Sequence, residues 1–170
     1  STVTTNLTIL PQFNVSIQSS GGGTACSGSG VLLSMTTFAS PANTYQWNDA
    51  NGVISGATSS TYTATSTGTY SLTVTTPAGC SSTSSGLAVS IIIISTPASL
   101  TTSAIQLDRA TMNWATVTNA NHYDIRMRVQ GSVWSVALNS ISSSATSQTK
   151  TGLSSSTTYE WQIRSACSND

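Results

Sequence analysis

Apolar residues alternate with serine and threonine along most of the chain, and nowhere do they recur every three or four positions. Phe13, Val15 and Ile17 form one such series, and Tyr70, Leu72 and Val74 another. Successive side chains of a strand point to opposite faces, so this alternation predicts half-buried β-strands. In the first half strands are expected in "QFNVSIQ", "VLLSMTTF", "TYQWND", "STYTAT", "TGTYSLTVTT" and "GLAVSIIIIS". In the second half they are expected in "ATMNWATV", "HYDIRMRVQ", "GSVWSVALN", "TSQTKTGL" and "TTYEWQIRSAC". "SSGGGTACSGSG" reads as a flexible turn, "NGVISG" as a hairpin turn with its return, and "PAGC" as a turn. Short strands punctuated in this way predict antiparallel β-sandwiches.

The run of four isoleucines in "AVSIIIISTPASL" interrupts this texture. Leu87 to Ile94 is eight residues, against the roughly 20 of a membrane-spanning helix. β-branched residues bounded by Ser and Pro read as a strand. We place it as the last strand of a first domain, with the boundary near Thr96–Pro97. The organisation is then an extended strand over 1–11, a sandwich over 12–96 and a second over 97–170. Alternation puts Ile91 and Ile93 on one face and Ile92 and Ile94 on the other. One sandwich buries only one set, so Ile92 and Ile94 are candidates for an assembly contact with a neighbouring domain, a glycan or another subunit.

Composition sharpens this picture. Hydrophobic residues make up 38% and charged residues only 6%, while serine and threonine number 33 and 29 of 170. Five basic residues balance five acidic ones, which leaves no electrostatic footprint for nucleic acid. Before Asp108 the only charged side chain is Asp49. So uncharged a stretch needs another route to solubility, by glycans or by permanent packing into an assembly. No signal peptide stands at the start, so it has been removed or the chain is a piece of something longer.

The stretch "YQW…NG.ISGATSSTYTATSTGTYSLTV…GCSSTSS" resembles the immunoglobulin-like modules of secreted, multidomain surface proteins of Bacteroidota. The likeness covers about residues 12–95. It implies a buried Trp47 on the third strand and a tyrosine corner at Tyr70, in which the phenol bonds to backbone and pins the turn into a strand. Residues 97–170 resemble a fibronectin type III module of the same organisms, through "TPASL", "ATMNWATVTNANHYDIRMRVQG" and "TGLSSSTTYEWQIRSAC". There the likeness implies a core Trp114 and a tyrosine corner made by Leu153 and Tyr159. Such a module needs one more strand after Cys167. These modules serve as spacers, adhesive arms or accessory domains, and many of their parent proteins leave by type IX secretion. The fold alone licenses none of those functions.

"ACSG" at Cys26 and "GCS" at Cys80 also fit the first module, and these two cysteines are the disulfide candidate, suited to a secreted protein. Both lie at strand ends, however, with Leu33 and Leu72 in the mid-strand places, and the distance rule for disulfides can forbid the pair. Cys167 is then free or bonded outside the chain.

Catalytic chemistry is not in view. His122 is the single histidine, and although it shares a strand face with Asp124, no nucleophile motif accompanies it. The carboxylates Asp49, Asp108, Asp124 and Glu160 form no acid/base pair in sequence. "WNDANG" lacks calcium-loop spacing and reads as a hairpin turn, and three cysteines without C-x-x-C spacing make no zinc site. Asn6 and Asn14 match glycosylation sequons. Trp134, placed on a strand, is a sugar-stacking candidate weighed against plain packing.

Together these readings predict two tandem antiparallel β-sandwiches, immunoglobulin-like then fibronectin type III-like. The expected role is non-enzymatic, without cofactor or metal: a secreted cell-surface protein forming a filament, stalk or adhesin. The alternatives are a carbohydrate-binding accessory module of a secreted enzyme and a fragment of a giant adhesin. Expected partners are further copies of the chain or neighbouring modules, and glycans, with no membrane span. A second domain without its last strand invites pairing with another chain. Residues 1–10, with Val3, Leu7 and Ile9 alternating, are the candidate donor.

Overall fold

The computed structural model describes residues 13–37, 40 and 42–167. It is all-β, without an α-helix among the described residues, and divides into two compact units between Ile91 and Ile92.

Nine strands build the first unit: β1 (Ile17–Ser19), β2 (Thr24–Cys26), β3 (Val31–Met35), β4 (Thr44–Asp49), β5 (Gly52–Val53), β6 (Thr61–Ala64), β7 (Gly68–Thr75), β8 (Ser81–Thr83) and β9 (Leu87–Ile92). One sheet runs β1-β3-β6, and the other β2-β9-β7-β4-β5 with β8 also on β7. Consecutive strands β1 and β2 thus belong to different sheets. The glycine-rich turn Ser20–Gly23 carries the chain across, with Gly21 and Gly22 in the left-handed region at φ 58° and 69°. At Gly23 a Cβ would stand 2.9 Å from the Ala88 carbonyl, so only glycine lets β2 close on β9.

The alternating residues fill the space between these sheets. Val31 and Leu33 point inward from β3, Trp47 from β4 and Tyr70, Leu72 and Val74 from β7. Trp47 lies opposite Leu72 in the antiparallel β4–β7 ladder. Its indole N–H donates to the Ser59 carbonyl at 2.9 Å, which satisfies the one polar atom the ring takes into the core. Each such large apolar side chain contributes about 1.5–3 kcal/mol on burial.

The isoleucine run is strand only in its first half, since β9 ends at Ile92. β9 pairs with β7 only from Leu87 to Val89. Beyond that Thr67 takes the ladder's place: its Oγ1 accepts from the Ile91 N–H at 2.8 Å and sits 3.4 Å from the Ile91 carbonyl. Ile91 packs on the core. Regular structure ends at Ile92, and Ile93 is 76% exposed where continued alternation would have turned it inward with Ile91. Ile92 and Ile94 are half-buried.

The second unit holds β10 (Thr101–Ser103), β11 (Arg109–Asn113), β12 (His122–Val129), β13 (Val136–Ser142), β14 (Ser147–Thr151) and β15 (Tyr159–Ala166). Its sheets are β10-β11-β14 and β13-β12-β15. Met112, Trp114, Tyr123, Ile125 and Met127 form its core, with Leu138, Leu153, Tyr159, Trp161 and Ile163 packed around them. β15 pairs with β12 along its whole length, from Val129↔Tyr159 to His122↔Ala166. Among the described residues no strand pairs with its other edge.

Candidate functional site

The outward face of β12 and β15 gathers half of the chain's ten charged side chains. The register sets Asp124 opposite Arg164, Arg126 opposite Gln162 and Arg128 opposite Glu160. Arg164 Nε donates to Asp124 Oδ2 at 2.9 Å, Arg126 Nε to Gln162 Oε1 at 2.8 Å and Arg128 Nε to Glu160 Oε2 at 2.6 Å. These pairs exist because alternate residues of two antiparallel strands share a face.

Trp134 lies beside this ladder. The sequence predicts it on a strand, but β13 begins two residues later, at Val136. A turn about Gly131 (φ 78°) intervenes, closed by the Ser132 N–H on the Val129 carbonyl at 2.9 Å. The half-buried ring packs under two guanidiniums, with the central carbons of Arg126 and Arg128 at 4.6 and 4.4 Å from its centroid. It therefore holds two arginines by cation–π contact.

A recess of about 450 Å³ opens in the same face, with Arg126, Asn139, Gln162 and Arg164 around it and Ala137 on β13 as a small side chain opposite Arg126. Asp124 also lines it, with both oxygens engaged: Oδ1 accepts from the Ser140 N–H at 2.9 Å and Oδ2 from Arg164. Burial pushes the Asp124 carboxyl up, but the Ser140 N–H, Arg164 and His122 outweigh it and hold the group below the usual carboxylate range. His122 is buried, its Nε2 3.5 Å from Asp124 Oδ2 and its Nδ1 3.1 Å from Asn121 Oδ1. The fold thus brings His122 and Asp124 together, but the pair is tied into the sheet, and among the described residues no serine or cysteine is bonded to the imidazole. Among the described residues no three His, Cys, Asp or Glu side chains cluster as metal ligands. In "WNDANG" Asp49 Oδ1 accepts from the Asn51 N–H at 2.7 Å and so braces the hairpin.

The open edge of β15 borders a second cavity, about 550 Å³, between the β10–β11 connection and the β14–β15 connection. Met112, Met127, Tyr159 and Trp161 line it, and Ile105 and Leu107, 73% and 82% exposed, stand at its lips. Trp161 donates from its indole to Thr102 Oγ1 at 3.2 Å, reaching from β15 to β10. A second sandwich without its last strand is expected to open an apolar slot at this edge, but Ile105 and Leu107, which lie in no strand, carry no pattern that places them there.

Tyr70 donates its phenol to the Ser66 carbonyl at 2.8 Å, and Tyr159 accepts from the Ser154 N–H at 3.0 Å. Burial, and after it the nearby Tyr62 and Asp49, raise the Tyr70 phenol above its ordinary value, so it remains a donor. Trp114 is buried against Tyr123, and its indole N–H finds no acceptor among the described residues, at a cost of about 1–3 kcal/mol.

The Cys26–Cys80 bridge does not form, because Cys80 is a free thiol. Topology explains why. Gly23, at the entry to β2, lies against Ala88 of β9, which faces Thr69 near the start of β7. Cys80 sits past the opposite end of β7, in the turn after Thr75. Thr69 and Thr75 are roughly 20 Å apart at ~3.3 Å per residue, whereas a disulfide needs Cα atoms within about 7 Å. Cys26 and Cys167 each stand in the disulfide state. Cys80 instead lines an apolar cavity of about 360 Å³ with Phe13, Val15, Met35 and Val74. Of the two sequons, Asn14 is exposed; Asn6 lies outside the described residues, as do Val3, Leu7 and Ile9.

No family model and no curated protein matches the chain. Similar solved structures include the FN1-FN3 domains of chicken CNTN1 (TM-score 0.45, 14% identity, 86% of this chain and 57% of that one). A two-domain fibronectin type III segment of chicken tenascin matches with TM-score 0.42 and 14% identity over 93% and 94%. Domains A168-A170 of titin match with TM-score 0.50 and 11% identity over 91% and 62%. The chain thus spans under two thirds of the CNTN1 and titin segments. At 11% identity the titin likeness speaks to the fold alone, which is that of tandem β-sandwich modules. No helix among the described residues is long and apolar enough to cross a membrane.

Proposed function

We propose that the chain is a non-enzymatic structural segment of a secreted surface protein, a filament, stalk or adhesin, linked to its neighbours by strand addition at β15. One observation carries this reading: the outer edge of β15 has no paired strand among the described residues and adjoins a slot lined by Met112, Met127 and Trp161. An edge of free backbone donors and acceptors beside apolar pockets is what an added strand recognises. The proposed donor is residues 1–10 of another copy, whose Val3, Leu7 and Ile9 alternate in sequence and would share one face if added as a strand. Head-to-tail addition need not close, and so yields filaments. Secretion fits the disulfide state of Cys26 and Cys167.

Deleting residues 1–10 tests this directly. The truncated chain is expected to stay folded and soluble while losing assembly in light scattering and electron microscopy, and a synthetic peptide of residues 1–11 is expected to bind it. Filaments of the same mass from the truncated chain would refute strand addition.

A further inference from the structure

We propose that the recess on the outer face of β13-β12-β15 is a binding site for the carboxylate of an acidic sugar in a polymeric glycan. The inference does not depend on strand addition, since this face and the slot at the edge of β15 use different side chains.

Hydrogen-bond valence points to the ligand. Arg126 engages Gln162 through Nε and Nη2, which leaves Nη1 without a hydrogen-bond partner among the described residues. Arg164 engages Asp124 through Nε and Nη2, which leaves its own Nη1 likewise. The amide nitrogen of Gln162 and the side chain of Asn139 make no hydrogen bond among the described residues, and both residues line the recess. On the acceptor side, Asp124 has both oxygens engaged and Gln162 Oε1 receives Arg126 twice. The recess therefore has donors to offer and its carboxylate is already committed, so the complementary group is an acceptor.

Charge argues the same way. Asp124 neutralises Arg164 and Glu160 neutralises Arg128, but among the described residues Arg126 has no carboxylate partner, only a neutral amide and the Trp134 ring. One guanidinium thus stands at the recess without a counter-charge among the described residues. Guanidinium–carboxylate pairing is the strong, directional case among such contacts. At about 450 Å³ the recess falls within the usual 300–1,000 Å³ for small-ligand sites, room for one or two sugar rings. Trp134 acts as a positioning residue: stacked under Arg126 and Arg128, it restricts guanidiniums that would otherwise sweep through solvent.

The probe is polygalacturonate, a linear polyuronate, titrated against the full chain, with uncharged dextran as comparison. Binding to polygalacturonate and not to dextran is expected, weakening as salt rises. Arg126→Gln is expected to lower affinity at least about tenfold, and Arg126→Lys to restore part of it by keeping charge without the fork. Trp134→Ala should weaken binding and Trp134→Phe rescue it. Arg109→Gln, at an exposed arginine outside the face, should leave affinity unchanged. Circular dichroism checks that each variant is folded. Equal binding to dextran, no binding to polygalacturonate, or equal losses at Arg126 and Arg109 would each overturn the assignment.

Discussion

Four of the five tyrosines anchor a phenol on backbone four to six residues upstream: Tyr45 on Ser40, Tyr70 on Ser66, Tyr123 on Val117 and Tyr159 on Ser154. The fifth, Tyr62, packs its ring between Trp47 and Tyr70. Tyr70→Phe removes one hydrogen bond in a nearly buried site and is expected to cost about 1 kcal/mol, with a smaller loss for the half-exposed Tyr159→Phe, both read from urea midpoints. Asp124 gives a pH signature. Its folded pKa lies below the ordinary 3.8, so its contribution is complete above that value and lost as pH falls through the lower folded one. Asp124→Asn should flatten the loss of stability below about pH 4, measured by thermal unfolding across pH. Tyr70 and Tyr159 were legible in the sequence through the motifs that carry the family resemblance. Tyr45 and Tyr123, with equally local bonds, carried no family motif to mark them. Trp134 was not legible, since its partners sit on a neighbouring strand and a turn pulled it off β13.

At the scale of elements, strands with apolar alternation were readable and strands without it were not. β3, β7 and β12 each bury alternate residues, which period two encodes. β2, inside a stretch read as a flexible turn, and β8, all Ser and Thr, are held by edge pairing and carry no such signal. The isoleucine run misled in the opposite sense. Its composition is that of a strand to the end, yet β9 ends at Ile92, and on the β7 side the ladder stops at Val89, beyond which the Thr67 hydroxyl takes the Ile91 N–H. Thr67→Val keeps the shape and removes that hydroxyl. The expected result is a loss of about 1 kcal/mol and faster hydrogen exchange at the Ile91 amide, while the Val89 amide stays protected. Unchanged exchange at Ile91 would mean the hydroxyl is not what holds this end of β9.

For the whole molecule, the all-β sandwich architecture was legible in the patterning, while the boundary expected near Thr96–Pro97 lies five residues beyond the division between Ile91 and Ile92. The cysteine arrangement was not legible, because strand-end cysteines reveal their distance only once the order of strands in a sheet is known. Nor was the recess, whose donors come from three strands that sequence spacing does not align. The scarcity of charge was plain from the start, and its physical meaning lies in solvent behaviour. Among the described residues of the first unit Asp49 is the single formally charged side chain, and the rest of its polar surface is hydroxyl and amide. Hydroxyls hydrate without counter-ions, so this half of the molecule casts almost no field for salt to screen. It presents water with something close to a nonionic polymer coat, indifferent to salinity, while the molecule's response to an ionic medium is confined to the second unit.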